Sequence, residues 1–87
     1  MGIYLYIIDN HNEVLEQLYM STLIRRLKNV QITDILVNMN KENIMKLIHM
    51  IKTEIPEYKD CFNEQTANRA IVLLECALFC DFTVELL

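Results

Sequence analysis

The sequence predicts an α+β domain within the broader α/β classes: a small three-stranded sheet with helices packed on it. Three observations carry this. Two runs rich in β-branched and aromatic residues, Ile3–Ile8 and Val30–Val37, favour strands. Apolar Ile44, Leu47, Ile48 and Ile51 repeat at i, i+3, i+4 and i+7, the spacing of an amphipathic helix. Between Ala70 and Phe82 the charged residues are Glu75 and Asp81 alone, which suits a deeply packed helix. At 87 residues the chain is read as one domain, 1–87. A domain of that size buries about 60–65% of its unfolded surface, so its stability is modest.

The elements follow in order. Ile3–Ile8 is the first strand. Asp9-Asn10-His11-Asn12 is a polar turn, because Asn and Asp tolerate left-handed backbone. Glu13–Tyr19 returns as a second strand, although Val14, Leu15, Leu18 and Tyr19 also fit a helical period. Ser21 is a candidate N-cap for a short helix with apolar 23, 24 and 27 and a basic outer face of Arg25, Arg26 and Lys28. Val30–Val37 is the third strand. Asn40 caps the amphipathic helix, which must stop before Pro56, since the residue preceding a proline avoids the α region. Ile55–Asp60 is loop. Asn63 or Thr66 caps the final segment, and Ala70–Phe82, apolar on every helix face except around Glu75 and Asp81, is either the central buried helix of the domain or half core and half interface.

Composition excludes several functions. The net charge is -4 with eight Lys plus Arg, and phosphate contacts need clustered positive charge, so no nucleic-acid partner is expected. No apolar run reaches the roughly 18–20 residues that span a bilayer, and the opening MGIYLYIID lacks a basic leader, so no membrane partner is expected. Three Cys without a C-x-x-C pair read as free thiols in a reducing compartment, cytoplasm or nucleus. Gly2 is the only glycine, which removes glycine-rich phosphate loops. Cys76 and Cys80 share a helix face at i, i+4, and zinc with Cys61, His11 and His49 is conceivable. Structural zinc uses paired short spacings, so small apolar packing is the better reading. Cys61 lies among Glu57, Asp60 and Glu64, which make a thiol a poorer nucleophile. No catalytic residues, metal or cofactor are expected.

The order strand, turn, strand, short helix, strand, amphipathic helix, loop, buried helix resembles the BTB/POZ fold, and more narrowly the elongin C and Skp-type adaptors. Ala70, Leu73, Leu74, Ala77 and Phe79 match the elongin C pattern A-x-x-L-L-x-x-A-x-F/Y-L. Glu54-Ile55-Pro56-Glu57-Tyr58 is similar to the family's E-I-P-E-F segment, and Met20-Ser21-Thr22-Leu23 to the start of its first helix. An Asn-, Ile- and Lys-rich chain suits a diverged member or a viral look-alike.

The resemblance implies a non-enzymatic adaptor that links a substrate receptor to a cullin scaffold in a ubiquitin ligase. The receptor lays an apolar helix into a groove. Carried over, the groove residues are Ile71, Leu74, Phe79 and Phe82, while Glu75 and Leu78 lie near the cullin-facing side. There elongin C has an apolar residue and an Asn. Ordinary core packing is the competing reading for each apolar position. Protein partners and a homo- or hetero-oligomer are expected. The rival function is a small all-helical inhibitor or immunity protein that occludes a partner's groove, with Glu13–Lys28 as one helix.

Overall fold

The computed structural model describes residues 2–27, 32–54 and 61–87, and the chain opens with a hairpin. β1 (Tyr4–Ile8) pairs antiparallel with β2 (Val14–Tyr19). Asp9 builds the turn: its Oδ1 accepts from the N–H groups of His11 (2.8 Å) and Glu13 (2.9 Å). Asn12 sits at φ 64°, the left-handed conformation Asn tolerates. Ile7 faces Glu16 while Ile8 faces Val14, so Leu15 is the extra residue of a β-bulge. The expected strand over Glu13–Tyr19 is therefore present from Val14. Because Val14–Tyr19 is strand, the all-helical fold of the alternative, with one helix from Glu13 onward, is overturned.

α1 (Ser21–Arg26) follows at once, with Leu23 and Ile24 buried as their spacing requires. Its N-cap is Met20, not Ser21. Ser21 is 2% exposed, and its Oγ accepts from the N–H of Ile3 at 2.5 Å. The N–H of Met20 in turn donates to the Ile3 carbonyl at 2.8 Å. The hydroxyl thus ties the start of β1 to the helix instead of capping the helix.

The expected third strand at Val30–Val37 is corrected: Ile32–Val37 is a helix, α2, and Val30 and Gln31 lie outside the described residues. Ile32, Ile35, Leu36 and Met39 fall at i, i+3, i+4 and i+7. Ile35 is 3% exposed and the other three pack against the core. Burial on a helical period overrides the β-propensity of Ile, Thr and Val here.

α3 (Lys41–Glu54) is the predicted amphipathic helix, and Ile44, Leu47, Ile48, Met50 and Ile51 are buried. Asn40 caps it, accepting from the N–H of Asn43 at 2.8 Å. The expected loop at Ile55–Asp60, including Pro56, lies outside the described residues. α4 (Cys61–Cys80) spans 20 residues, about 30 Å. It begins before Asn63 and Thr66, so both lie inside the helix rather than capping it. Asp81 (φ 58°) ends it in the left-handed conformation, and the N–H of Phe82 donates back to Ala77 at 2.9 Å. That is the Schellman closure of a helix C-terminus.

The chain then adds β3 (Thr83–Leu86) antiparallel to β1, which gives a three-stranded sheet of order β2-β1-β3. The α+β class holds, with its third strand at the C-terminal end instead of the middle. Leu5, Ile7 and Val84 on one sheet face meet Met20, Leu23, Leu47, Ile51, Ala70 and Leu74 in one core. Burying each large apolar side chain contributes about 1.5–3 kcal/mol. Tyr4, Tyr6 and Tyr19 share the other face. Tyr4 and Tyr19 meet edge to face at 5.2 Å between ring centroids.

Candidate partner-binding face of the last helix

α4 carries two apolar stripes. Ala67, Ala70, Leu73, Leu74 and Ala77 form the first, and all are buried against α3 and the sheet. Three alanines in that stripe let the backbone lie close to its neighbours. Val72, Cys76, Phe79 and Cys80 form the second, on the opposite side, and all are exposed. Their spacing of four, three and one repeats the period of a face that docks on something. Phe79 is 93% exposed and Val72 57%. Of the two expected roles for Ala70–Phe82, the fully buried central helix is excluded, and the segment is part core and part exposed face. A 20-residue helix in an 87-residue chain offers more apolar perimeter than α3 and three short strands cover.

The predicted groove residues do not share one face. Leu74 is fully buried and packs in the core. Phe79 lies about 140° further round the helix at 100° per residue. Ile71 and Leu78, seven residues apart on one flank, are half-buried against the core, as is Phe82 beyond the helix end. Glu75 is exposed on that flank and pairs with Lys52 of α3 at 2.9 Å. Of the six positions, Phe79 and Glu75 are exposed, Ile71, Leu78 and Phe82 are half-buried, and Leu74 is fully buried. Sequence reasoning missed Val72 and Cys76. The signal was present as a second i, i+4, i+7 set, hidden because the first set made the whole segment look uniformly apolar.

Ion pairs frame the outer stripe. Lys52–Glu75 stands on one side, and Arg69–Glu16 (3.3 Å) ties the other to β2. Lys41 and Asp81 pair at 2.8 Å near the helix end. These are exposed pairs worth about 0–1 kcal/mol each, so they set charge pattern more than stability. Cys76 and Cys80 are both free thiols. The Cys80 pKa is raised, first by local desolvation, then by the hydrogen bond and charge of Cys76. Its neutral form adds to the apolar character of the stripe, and it is a weaker nucleophile than an ordinary thiol. Among the described residues no group of three or more His, Cys, Asp and Glu is placed to hold a metal ion. Nor, among them, is any helix long and apolar enough to cross a membrane.

Comparison with known proteins adds no relative: no family model, curated protein or solved structure matches the chain.

Proposed function

We propose that the chain is a non-enzymatic protein–protein adaptor of elongin C type, which joins a substrate receptor to a cullin-type ubiquitin-ligase scaffold in the cytoplasm or nucleus. The observation that carries the adaptor reading is Phe79, 93% exposed near the C-terminal end of an apolar helical stripe. Leaving a Phe in water forgoes about 1.5–3 kcal/mol that a partner would recover. Hot spots of interfaces are large side chains of this kind, rimmed by polar and charged groups. The Lys52–Glu75 and Arg69–Glu16 pairs supply such a rim. The matching partner surface is an apolar helix laid along α4. The elongin C pattern at Ala70, Leu73, Leu74, Ala77 and Phe79 is what directs the reading to receptors and cullins. Glu75 and Leu78 then face the scaffold.

The test is a binding titration against a cullin N-terminal domain and a receptor-box helix peptide. The native chain binds both. Phe79→Asp weakens the receptor peptide about 30-fold or more, because roughly 2 kcal/mol of burial is lost and a carboxylate must be desolvated. Its circular dichroism stays native. Absence of binding to either protein by the native chain refutes the reading.

A further inference from the structure

β3 lies at the outer edge of the sheet, away from the exposed face of α4. Tyr4 and Leu87 exchange both backbone hydrogen bonds, at 2.8 and 3.0 Å. Bonded pairs alternate along an antiparallel ladder. The register places Tyr6 opposite Glu85 and Ile8 opposite Thr83, so these are the next bonded pairs. Val84 and Leu86 therefore turn their N–H and C=O groups away from β1, toward the open side of the sheet. Among the described residues no backbone group meets them there. β3 is an edge strand in the order β2-β1-β3, with no Pro or Lys to blunt it.

A cavity of about 220 Å³ lies along the same edge, lined by Leu36, Val37 and Met39 with residues 84–87. Val37 is 82% exposed. The two faces of β3 differ in chemistry. Val84 and Leu86 point to the core side with Ile7 and Leu5, next to the cavity. Glu85 points to the other side beside Tyr6 and is exposed.

We propose that this edge receives an extended segment of another protein by strand addition, the segment alternating apolar and basic side chains. Backbone bonds to Val84 and Leu86 hold it. An apolar side chain on the core side enters the cavity among Leu36, Val37 and Met39. A Lys or Arg on the other side stands opposite Glu85, where an opposite-charge cross-strand pair is favourable. A second copy of this chain is the poorer occupant. Antiparallel self-pairing that satisfies Val84 and Leu86 brings the two copies of Glu85 directly opposite each other, and like charges there are destabilising. The net charge of -4 adds to the preference for a basic segment.

The experiment titrates the full chain with a blocked hexapeptide of alternating valine and lysine, and with its counterpart carrying glutamate for lysine. Amide exchange and chemical shifts are read residue by residue. The lysine peptide slows exchange at the Val84 and Leu86 amides at least tenfold and binds at least tenfold tighter than the glutamate peptide. Glu85→Lys, at an exposed site, inverts that order. Val37→Ser, also exposed, weakens the lysine peptide severalfold with the fold unchanged. No slowing at Val84 and Leu86 in millimolar peptide overturns the proposal, as does equal binding of the two peptides. Concentration-dependent protection of the same amides without peptide, with a dimer in sedimentation, also overturns it. Phe79→Asp leaves this binding unchanged, which separates the site from the outer face of α4.

Discussion

Leu74 and Phe79 are five residues apart on one helix and both are large and apolar, yet their truncations should differ by several kcal/mol. Leu74 is 0% exposed and belongs to the central core, whereas Phe79 is 93% exposed. Leu74→Ala removes buried aliphatic groups and leaves a cavity in the core, a change that costs about 2–5 kcal/mol. A domain of 87 residues has about 4–13 kcal/mol of total stability, at roughly 0.05–0.15 kcal/mol per residue. The loss is thus about 15% of the total at the least. Phe79→Ala touches nothing the fold relies on and should stay within about 0.5 kcal/mol of native. Urea unfolding followed by circular dichroism reads both. With a slope near 1 kcal/mol per molar urea, Leu74→Ala lowers the midpoint by about 2 M or more, and Phe79→Ala moves it by about half a molar at most. Equal losses for the two variants would refute the two-stripe description of α4. So would a larger loss at Phe79, because both outcomes require Phe79 to be buried in the free chain.

Three further outcomes follow from individual contacts. Asp81 holds a left-handed φ of 58° that costs an L-residue about 1–2 kcal/mol, so Asp81→Gly should stabilise by about 0.5–1 kcal/mol after its exposed pair with Lys41 is lost; a destabilised variant in the same urea assay contradicts this. Ser21→Ala leaves the partly buried Ile3 N–H without its acceptor and should cost about 1 kcal/mol or more, while Thr22→Ala at the neighbouring, less buried position costs less; the reverse order contradicts the assignment. For Cys80, pH-dependent alkylation read by mass spectrometry should give a midpoint above that of an ordinary thiol. Cys76→Ala should bring it down, because a charge and a hydrogen bond that disfavour the Cys80 thiolate are removed; an unmoved midpoint leaves Cys76 without a role in the shift.

The legible parts of the fold were those in which local chemistry and tertiary packing agree. The hairpin reads from Tyr4, Ile7 and Ile8 because β-branched and aromatic residues meet a turn of Asp and Asn. α3 reads from its spacing and from Asn40, whose side chain does cap it. Two regions read wrongly where propensity and packing conflict. Ile32–Val37 has strand composition, yet Ile35 is buried on a helical period together with Ile32, Leu36 and Met39. Thr83–Leu86 is too short to stand out as a strand, and it becomes one because Asp81 turns the chain back onto the free edge of β1. Ser21 shows the same limit on a single side chain. A serine before an apolar run predicts a cap, but its hydroxyl is taken by a backbone N–H eighteen residues earlier.

The face of α4 was half legible for a related reason. Apolar letters at Ala70, Leu73, Leu74 and Ala77 and at Val72, Cys76 and Phe79 interleave, so a single count of hydrophobicity cannot say which set is inside. Size decides it. Alanines occupy three of the five inward positions, and the largest side chain of the segment stands on the outer side. Phe79 therefore faces out through the packing geometry of the helix, and any partner that covers it must reach it from the solvent side, between Glu75 and Cys80. Such a partner can bind without displacing a single core contact. That is the mechanical requirement for an adaptor that keeps its fold both free and bound, and it is why truncating Phe79 should separate binding from stability when no truncation of Leu74 can.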